Sequence, residues 1–588
     1  MPTIGIKRDL LFKALGKKYS DDEFSQLCFD FGLELDEVTT ENQMISKETG
    51  QESVKGASEE IIYRIDIPAN RYDLLCLEGL SIGLLIFLNK IEPPRYKAIY
   101  PGIDKCQKLI ITPETKKIRP FAVAAVLRGL HFTADSYASF IDLQDKLHQN
   151  IARKRTLVAI GTHDLDTIQG PFVYDALPPE QIKFQPLNQD KEHSGKEIMD
   201  LYSTHAQLKQ YLHIIRDSPV YPIIKDSNGT VLSMPPIING HHSRITLNTK
   251  NVFIECTATD LTKANIVLDT IVCAFSQYCS EKYEVEIVEV TQPEGKVVKT
   301  PHLSYRKERI SGKKINKYIG INETPLHLAT LLTKMCLKSD VHSGSEIVVE
   351  VPPTRHDIIH AVDIYEDAAI AFGYNNIVKT IPKTSTIANQ FPLNKLSDQL
   401  REQIAQAGFT ETLTFSLCSR DDISTKLCKK IEDIPAAHIS NPKTLEFQVA
   451  RTTLVPGLLK TIAANKNMPL PIKLFEVSDI VLKDSNTEVG ARNERHLCAV
   501  NYNKSPGFEV IHGLLDRFMQ LLNVPFSQEK GYFIRAVEDT TYFPQRCAEI
   551  VFNGKVIGTM GVLHPDVITK FDLTLPCSAL EINIEPFV

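Results

Sequence analysis

The segment that decides the fold reads Val351-Pro352-Pro353-Thr354-Arg355-His356-Asp357-Ile358, and the chain contains a second version of it. Near the N-terminus stands Ile67-Pro68-Ala69-Asn70-Arg71-Tyr72-Asp73-Leu74, which matches it position for position. Each version follows a β-like run and leads into an apolar helical pattern. The spacing therefore predicts one small α/β module used twice.

The second copy carries acidic residues that the first copy lacks. Its helix is predicted to bury Ile358, Val362, Tyr365, Ala369 and Phe372 and to end at Gly373. Asp363, Glu366 and Asp367 stand at i, i+3 and i+4, so three carboxylates share the other helix face. Like charges so close repel, and a hard cation would relieve them, but a solvated acidic face near a helix start explains the same pattern. Asp357 joins the group only if the helix begins late or the preceding loop folds back.

Length and composition describe a globular protein of several domains. The chain has 588 residues, a net charge of −6 and 12 cysteines without zinc-type spacing. About four domains are expected from the length, and the weak net charge gives no global field for nucleic acid. Scattered cysteines, no secretory signal and no apolar run of transmembrane length favour a cytoplasmic protein with reduced thiols and no membrane contact.

The pattern divides the chain into four regions. A first module spans residues 1–95 and includes a polar, loop-like stretch from Thr39 to Glu60. A mixed α+β domain follows at 96–290, with predicted strands at Phe121–Val126, Thr156–Ile160, Ser243–Leu247 and Val252–Thr257. The second module occupies 291–380. The last region, 381–588, predicts an antiparallel sheet flanked by helices, with a strand at Thr412–Phe415.

Two further segments have both a chemical and a plain interpretation. Lys296–Lys317 holds eight Lys or Arg residues against the single acid Glu308, which fits an RNA contact or a solvated linker. The run His163-Asp164-Leu165-Asp166 offers metal-ligand side chains, although a loop with turn-forming aspartates is the better interpretation. No two glycines stand at i and i+2 and no Walker A sequence occurs, so common nucleotide-binding loops are absent.

Several motifs together resemble one family. They are the two Pro-x-x-Arg-x-Asp segments, Met234-Pro235-Pro236-Ile237-Ile238-Asn239, Val252–Asp260, and Gly558–Pro565 with Glu581-Ile582. In this order they resemble the phenylalanine–tRNA ligase β-subunit family in its cytosolic eukaryotic or archaeal form. The resemblance implies an α2β2 assembly acting on tRNA(Phe), with the ATP and phenylalanine site in the α-subunit. It also implies that 381–588 is a class II synthetase-like core that has lost its signature motifs.

The resemblance also implies two sites. Asp357, Asp363, Glu366 and Asp367 fall on family positions that bind Mg²⁺. The middle domain resembles the family's editing domain, which hydrolyses tyrosine wrongly attached to tRNA(Phe). Glu255 and Thr257 are predicted to line the editing pocket with Asn239 and Ser243, and one of His241 and His242 is a further candidate.

Two other functions compete with this interpretation. One is a free-standing RNA-binding or trans-deacylating protein that uses the basic segment and the repeated modules. The other is a metal-dependent hydrolase built on the Asp363 cluster, which lacks a histidine constellation to activate a nucleophile. The large last region has no evident site of its own, so its size favours an interface and hence a subunit.

Overall fold

The computed structural model describes residues 2–43, 59–384 and 387–588. Most of the predicted polar loop, residues 44–58, lies outside the described residues. The chain forms two compact units, Met1–Ile381 and Pro382–Val588. Within the described residues, no helix combines the length and the apolar character needed to span a membrane.

The first module is a three-stranded sheet with helices on it, and β3 is the central strand. Its elements are β1 (Thr3–Lys7), α1 (Arg8–Leu15), α2 (Asp21–Phe31), β2 (Glu34–Thr40), β3 (Ile61–Asp66) and α3 (Leu77–Phe87). Ser20 begins α2 as a capping box, in which its hydroxyl accepts from the Glu23 N–H at 3.2 Å and Glu23 accepts from the Ser20 N–H at 2.8 Å. Gly32 ends α2 at φ 86°, as its position predicts.

The middle region is built on one sheet of eleven strands. Its strands are β4 (Lys97–Ile99), β5 (Gln107–Ile111), β6 (Phe121–Leu127), β7 (Val158–Asp164), β8 (Phe172–Leu177), β11 (Tyr221–Lys225), β12 (Val231–Met234), β13 (Ile238–Asn239), β14 (Val252–Ala258), β15 (Glu284–Thr291) and β16 (Val297–Thr300); β9 (Lys183–Phe184) and β10 (His193–Ser194) form a separate pair. The helices are α4 (Ala134–Gln149), α5 (Gly195–Leu201) and α6 (Leu261–Phe275). One face of β14 packs in a core with α4 and α6, and the other face carries Glu255 and Thr257 together with Phe253, which packs in a second core.

The second module repeats the first element by element. It consists of β17 (Arg306–Ser311), α7 (Gly312–Ile319), α8 (Pro325–Lys334), β18 (Lys338–Ser343), β19 (Glu346–Val351) and α9 (Ala361–Phe372). Both modules run strand, two helices, two strands and helix, and in both the strand before the repeated motif is central. The predicted internal repeat is therefore confirmed in structure.

The second unit is a seven-stranded sheet with helices. Its elements are α10 (Pro392–Gln406), β20 (Thr410–Glu411), β21 (Leu417–Cys418), α11 (Arg420–Ile423), β22 (Val449–Ala450), α12 (Val455–Ala464), β23 (Ile472–Lys483), β24 (Ala491–Tyr502), α13 (Phe508–Leu521), β25 (Tyr532–Ala536), β26 (Tyr542–Phe552), β27 (Lys555–Leu563), α14 (Pro565–Lys570) and β28 (Cys577–Asn583). All neighbouring strands of the sheet are antiparallel except β20 and β23. The chain is a multidomain α+β protein, as predicted.

Two predicted strands are wrong. Ser243–Leu247 forms turns, because the Thr249 hydroxyl accepts the Thr246 N–H at 2.9 Å and local side chains replace ladder partners. Thr412–Phe415 is extended but lies outside the strands. There the Thr414 hydroxyl donates to Glu476 at 2.7 Å, while Leu413 and Phe415 remain exposed.

The predicted apolar face of α9 is also shifted. The helix begins at Ala361, after Ile358, and Val362 is 45% exposed. Ile358, Tyr365 and Ala369 are buried as predicted. Ile364, Ala368 and Asp367 are buried in addition. Asp367 was assigned to the polar face because a carboxylate is rarely buried without a partner, and its partner is identified below.

Candidate functional site

The site lies on the face of β14 that carries Glu255 and Thr257. Side chains two positions apart on a strand point to the same side of the sheet. In register, Glu255 stands between Gly161 of β7 and Ala124 of β6. Thr257 stands between Ala159 and Ala122. The two polar side chains are thus flanked by four of the smallest residues of the sheet.

Gly161 is required by the position of the Glu255 carboxylate. A Cβ atom at residue 161 would lie 2.1 Å from Glu255 Oε1 and 3.1 Å from His163 Nε2. No side chain other than hydrogen fits at that distance. The glycine therefore lets the carboxylate cross the neighbouring strand towards His163.

Glu255 is held at one oxygen and open at the other. The residue is 1% exposed, and its Oε1 accepts from the Ser233 hydroxyl at 3.0 Å. Its Oε2 is buried without a hydrogen-bond partner. A buried polar atom in this state costs about 1–3 kcal/mol, so the free oxygen indicates a place for a donor.

A buried arginine lies behind this strand. Arg119 donates to the main-chain oxygens of Thr257 at 2.9 Å and Thr156 at 3.1 Å. Burial lowers the pKa of its guanidinium, while the nearby Tyr174 and Glu255 act in the opposite direction. Arg119 therefore fixes the end of β14 and places a positive charge near the Glu255 carboxylate.

His163 and Ser243 complete the cluster. The Ser243 hydroxyl lies 2.8 Å from His163 Nδ1, and His163 Nε2 lies 3.8 Å from Glu255 Oε1. That second distance is too long for a hydrogen bond, and His163 Nε2 and Thr257 Oγ1 are both buried without partners. Three polar atoms on one small area thus lack partners: His163 Nε2, Glu255 Oε2 and Thr257 Oγ1.

The structure brings most of the predicted pocket residues together. Glu255, Thr257 and Ser243 belong to the cluster, and Asn239 is half-buried opposite Ser233 in the β12–β13 pair. His241 is half-buried with an unpartnered Nδ1. His242 is exposed, and its Nε2 lies 2.8 Å from the Thr167 oxygen. His241 is the better of the two histidine candidates.

Three residues of the cluster were not predicted as pocket residues. Gly161, His163 and Ser233 reach it from β7 and β12. The alternation Gly161-Thr162-His163 was a usable signal for one strand face, but the register that sets it beside Glu255 depends on long-range pairing. His163 belongs to a strand, and Asp164 and Asp166 form the turn after it, with Asp164 Oδ1 accepting the Asp166 N–H at 3.1 Å. The turn interpretation is confirmed.

The predicted magnesium residues have other partners. Arg355 donates to Asp357 through two N–H groups at 2.9 and 2.7 Å and to Asp367 at 2.6 Å. Burial opposes ionisation of Asp357, but attraction and hydrogen bonds from Arg355 outweigh it, so its pKa lies below the ordinary value. Burial raises the pKa of Asp367 despite Arg355. One guanidinium thus already serves both carboxylates.

The remaining two carboxylates do not join them. Asp363 Oδ2 accepts the N–H groups of Ile359 and His360 at 2.8 and 2.7 Å, which caps the start of α9. Glu366 is exposed. Across the part of the chain that the structure describes, no group of three or more His, Cys, Asp or Glu is placed to hold a metal ion. The four residues as arranged do not fit Mg²⁺, and the predicted metal site stays a prediction.

The basic segment covers the edge of the second module. Lys307 lies on the exposed part of β17, and Lys313, Lys314 and Lys317 lie on α7, all of them exposed. Arg306 and Arg309 are engaged, the first with the Ile358 oxygen and the second with Glu346. The four lysines form an accessible positive surface on one module.

Comparison with known proteins gives four family matches along the chain. Residues 1–90 match the Phe-tRNA synthetase beta subunit B1 domain, 108–278 the B3/4 domain, 309–374 the tRNA synthetase B5 domain, and 377–584 the Phenylalanyl tRNA synthetase beta chain CLM domain. The Glu255 cluster lies in the B3/4 match. The second repeated motif lies in the B5 match.

Full-length relatives agree with these matches. The phenylalanine–tRNA ligase beta subunits of Drosophila melanogaster and Homo sapiens are 67% and 65% identical, and each alignment covers 100% of both chains. The crystal structure of an N-terminal fragment of the Pyrococcus horikoshii phenylalanyl-tRNA synthetase beta-subunit has 31% identity and a TM-score of 0.56, covering 63% of this chain and 100% of that one. The chain belongs to the phenylalanine–tRNA ligase β-subunit family.

Proposed function

We propose that the pocket around Glu255 hydrolyses the ester of tyrosine wrongly attached to tRNA(Phe). The observation that carries this proposal is the pair of unpartnered buried oxygens, Glu255 Oε2 and Thr257 Oγ1, on one strand face lined by Gly161 and alanines. A phenol hydroxyl can donate to the carboxylate and accept from the threonine hydroxyl. The pocket therefore suits tyrosine better than phenylalanine.

The need for such a pocket follows from the limits of selection by size. An apolar synthetic site rejects a substrate with one additional hydroxyl by only about a hundredfold. A site that hydrogen-bonds the hydroxyl rejects the analogue lacking it by about 10⁴ or more, because its buried polar groups would stay unpaired. A second site of this kind removes the error that the first one admits.

Glu255→Gln tests the proposal in the assembled ligase. The amide keeps the shape of the side chain but replaces the acceptor that faces the phenol with a neutral group. Attachment of phenylalanine should be unchanged, while Tyr-tRNA(Phe) should accumulate when tyrosine is the only amino acid supplied. Glu281→Gln, an exposed residue of the same domain, is the matched control. Mischarging no higher in Glu255→Gln than in the control would overturn the proposal.

The chain acts as one part of a ligase complex, and we propose that its partner is an α-subunit in an α2β2 assembly. The second unit exposes three large apolar side chains, Leu413, Phe415 and Leu445, which are 82%, 79% and 77% exposed. The Phe415 and Phe447 rings lie 5.8 Å apart. Exposed apolar groups of this size are typical of protein interfaces. This unit thus has the character of a class II synthetase-like core used for assembly.

The proposed division of labour has a direct assay. ATP and phenylalanine would bind the α-subunit, as the family resemblance implies, and the lack of nucleotide-binding glycine loops in this sequence agrees with that. Phenylalanine-dependent ATP–pyrophosphate exchange should appear only after co-expression with an α-subunit. Phe415→Asp should weaken co-purification, whereas the same change at exposed Phe526 should not. Exchange by this chain alone would contradict the assignment.

Contact with tRNA(Phe) and a cytoplasmic location complete the proposal. The four exposed lysines of β17 and α7 supply positive charge for a phosphate backbone. A relative from Arabidopsis thaliana, 48% identical, is named a cytoplasmic beta subunit. Mg²⁺ at Asp357, Asp363, Glu366 and Asp367 stays a prediction, and no step of the hydrolysis depends on it. A free-standing deacylase is not favoured, since the likeness to β-subunits extends over the whole chain.

A further inference from the structure

We propose that His163 is a specificity-determining residue of the Glu255 pocket, which donates a hydrogen bond from Nε2 to the hydroxyl oxygen of the bound tyrosine. The inference rests on the proposed editing function and adds a residue to it. It starts from the two hydrogen-bonding positions of the imidazole ring, which have different surroundings. Nδ1 lies 2.8 Å from the Ser243 hydroxyl, and Nε2 is buried without a hydrogen-bond partner.

Ser243 fixes which ring nitrogen carries the proton. Its hydroxyl lies 2.8 Å from His163 Nδ1 and has no other hydrogen-bond partner among the described residues. We assign the proton of this bond to Ser243, because its buried O–H has no other acceptor among the described residues, and Nδ1 then accepts. The neutral imidazole then carries its proton on Nε2, which makes Nε2 a donor.

The Nε2 donor points towards an acceptor that it does not reach. Glu255 Oε1 lies 3.8 Å away, and that oxygen already accepts from Ser233 at 3.0 Å. Both His163 and Glu255 are almost fully buried, so bulk water does not serve them. An oxygen beside this gap can accept from Nε2–H and donate to the free Glu255 Oε2.

A phenol hydroxyl has the donor and acceptor that this arrangement requires. Its oxygen accepts and its proton donates, so one group satisfies both His163 Nε2 and Glu255 Oε2. Phenylalanine offers neither and would leave both polar atoms buried and unpaired. An aromatic amine donates but accepts poorly, so it would satisfy Glu255 and leave His163 without a partner. His163 therefore separates the phenol from the amine, and Glu255 separates both of them from phenylalanine.

The experiment measures deacylation of purified tRNA(Phe) charged with tyrosine, phenylalanine or p-aminophenylalanine by the assembled ligase. His163→Leu, which keeps bulk but has no donor, should lower kcat/KM for the tyrosyl ester about ten- to a hundredfold. The p-aminophenylalanyl ester should lose much less. His163→Gln, whose amide can donate, should recover part of the tyrosyl activity.

Further variants separate a specific role from general damage. Ser243→Ala removes the hydroxyl that holds the proton of His163 on Nε2. It should lower kcat/KM for the tyrosyl ester about three- to tenfold. His131→Gln, an exposed histidine of the same domain, is the matched control and should behave as wild type. The rate of phenylalanine attachment to tRNA(Phe) by each complex, compared with wild type, shows whether the variant folds and assembles.

The outcomes distinguish this inference from the function on which it rests. If Glu255→Gln abolishes tyrosyl deacylation but His163→Leu retains wild-type kcat/KM, the role of His163 is overturned and the pocket stands. An equal loss on tyrosyl and p-aminophenylalanyl esters would also overturn it, because a merely structural role would produce that result. If Glu255→Gln deacylates normally as well, the proposed function itself fails.

Discussion

The two copies of the repeated motif have the same ion pair and different surroundings. In the first, Arg71 donates to Asp73 through two N–H groups at 2.9 and 2.8 Å. In the second, Arg355 donates to Asp357 at 2.9 and 2.7 Å. Arg355 also bonds Asp367 and, at 2.6 Å, the Met335 oxygen. The shared pair builds the module, and the additional bonds are particular to the second copy.

Packing explains why the first copy lacks those acids. Gly83 stands where the second copy has Asp367, and a Cβ atom there would meet Phe31 and Leu74 at 3.2 Å. Arg71 lies over the Phe31 ring, 5.8 Å from its centroid. An aromatic ring thus occupies the place of the second carboxylate. One buried arginine thus explains Asp367 and one helix cap explains Asp363, whereas Glu366 is exposed.

The largest expected effect is the loss of stability on replacing Arg355, which should exceed the loss on replacing Arg71. Arg355→Met removes the hydrogen-bonded counter-charge of two buried carboxylates and leaves them only the attraction of Arg71. It should destabilise the first unit by about 3–5 kcal/mol. Arg71→Met leaves one and should cost about 1–3 kcal/mol. Both losses are measured by unfolding the full chain in urea and comparing the midpoint of the first transition in each variant with that of the wild type. Equal losses would show that Asp367 contributes nothing to the difference.

The next largest effect is expected at Gly79, the residue of the first copy that matches Asp363 in the second. A Cβ atom at Gly79 would lie 1.7 Å from the main-chain oxygen of Asp73. Gly79→Ala therefore requires the backbone to move and should lower the free energy of unfolding by about 1–3 kcal/mol. Gly513→Ala, in open space on a helix, is the control and should not destabilise the chain. A Gly79→Ala chain as stable as the control would contradict the close packing.

A smaller loss of stability is expected from changes at Asp363 in the second copy. Asp363→Ala removes the acceptor of two N–H groups at the start of α9 and should cost about 1 kcal/mol, as the loss of a helix cap does. Asp363→Asn retains an acceptor oxygen and should cost less. Thermal unfolding compares the two variants. If Asn is as harmful as Ala, the charge of Asp363 has a role other than capping.

The smallest effect concerns the metal. Because Arg355 and the α9 cap engage three of the four carboxylates, millimolar Mg²⁺ should leave the unfolding midpoint of the isolated chain unchanged. The titration is repeated with Glu366→Gln and with Ca²⁺. A midpoint that rises with Mg²⁺ in the wild type and not in Glu366→Gln would restore the predicted site.

Sequence reasoning succeeded where the signal was local or repeated. The duplicated motif, the end of α9 at Gly373 and strand β14 were all predicted, because each depends on neighbouring or repeated residues. The bond from Arg355 to Asp367 was not predicted, since the two residues are twelve positions apart and meet only when the loop folds back. His163 was missed as a pocket residue for the same reason, because strand register brings it to Glu255.

The most direct measurement is the rate at which the assembled ligase hydrolyses purified Tyr-tRNA(Phe) and Phe-tRNA(Phe), with wild-type chain and with Glu255→Gln. The account predicts rapid hydrolysis of the tyrosyl ester alone by the wild type and a loss of about a hundredfold or more in the variant. Equal rates for wild type and variant would contradict the assignment of this pocket.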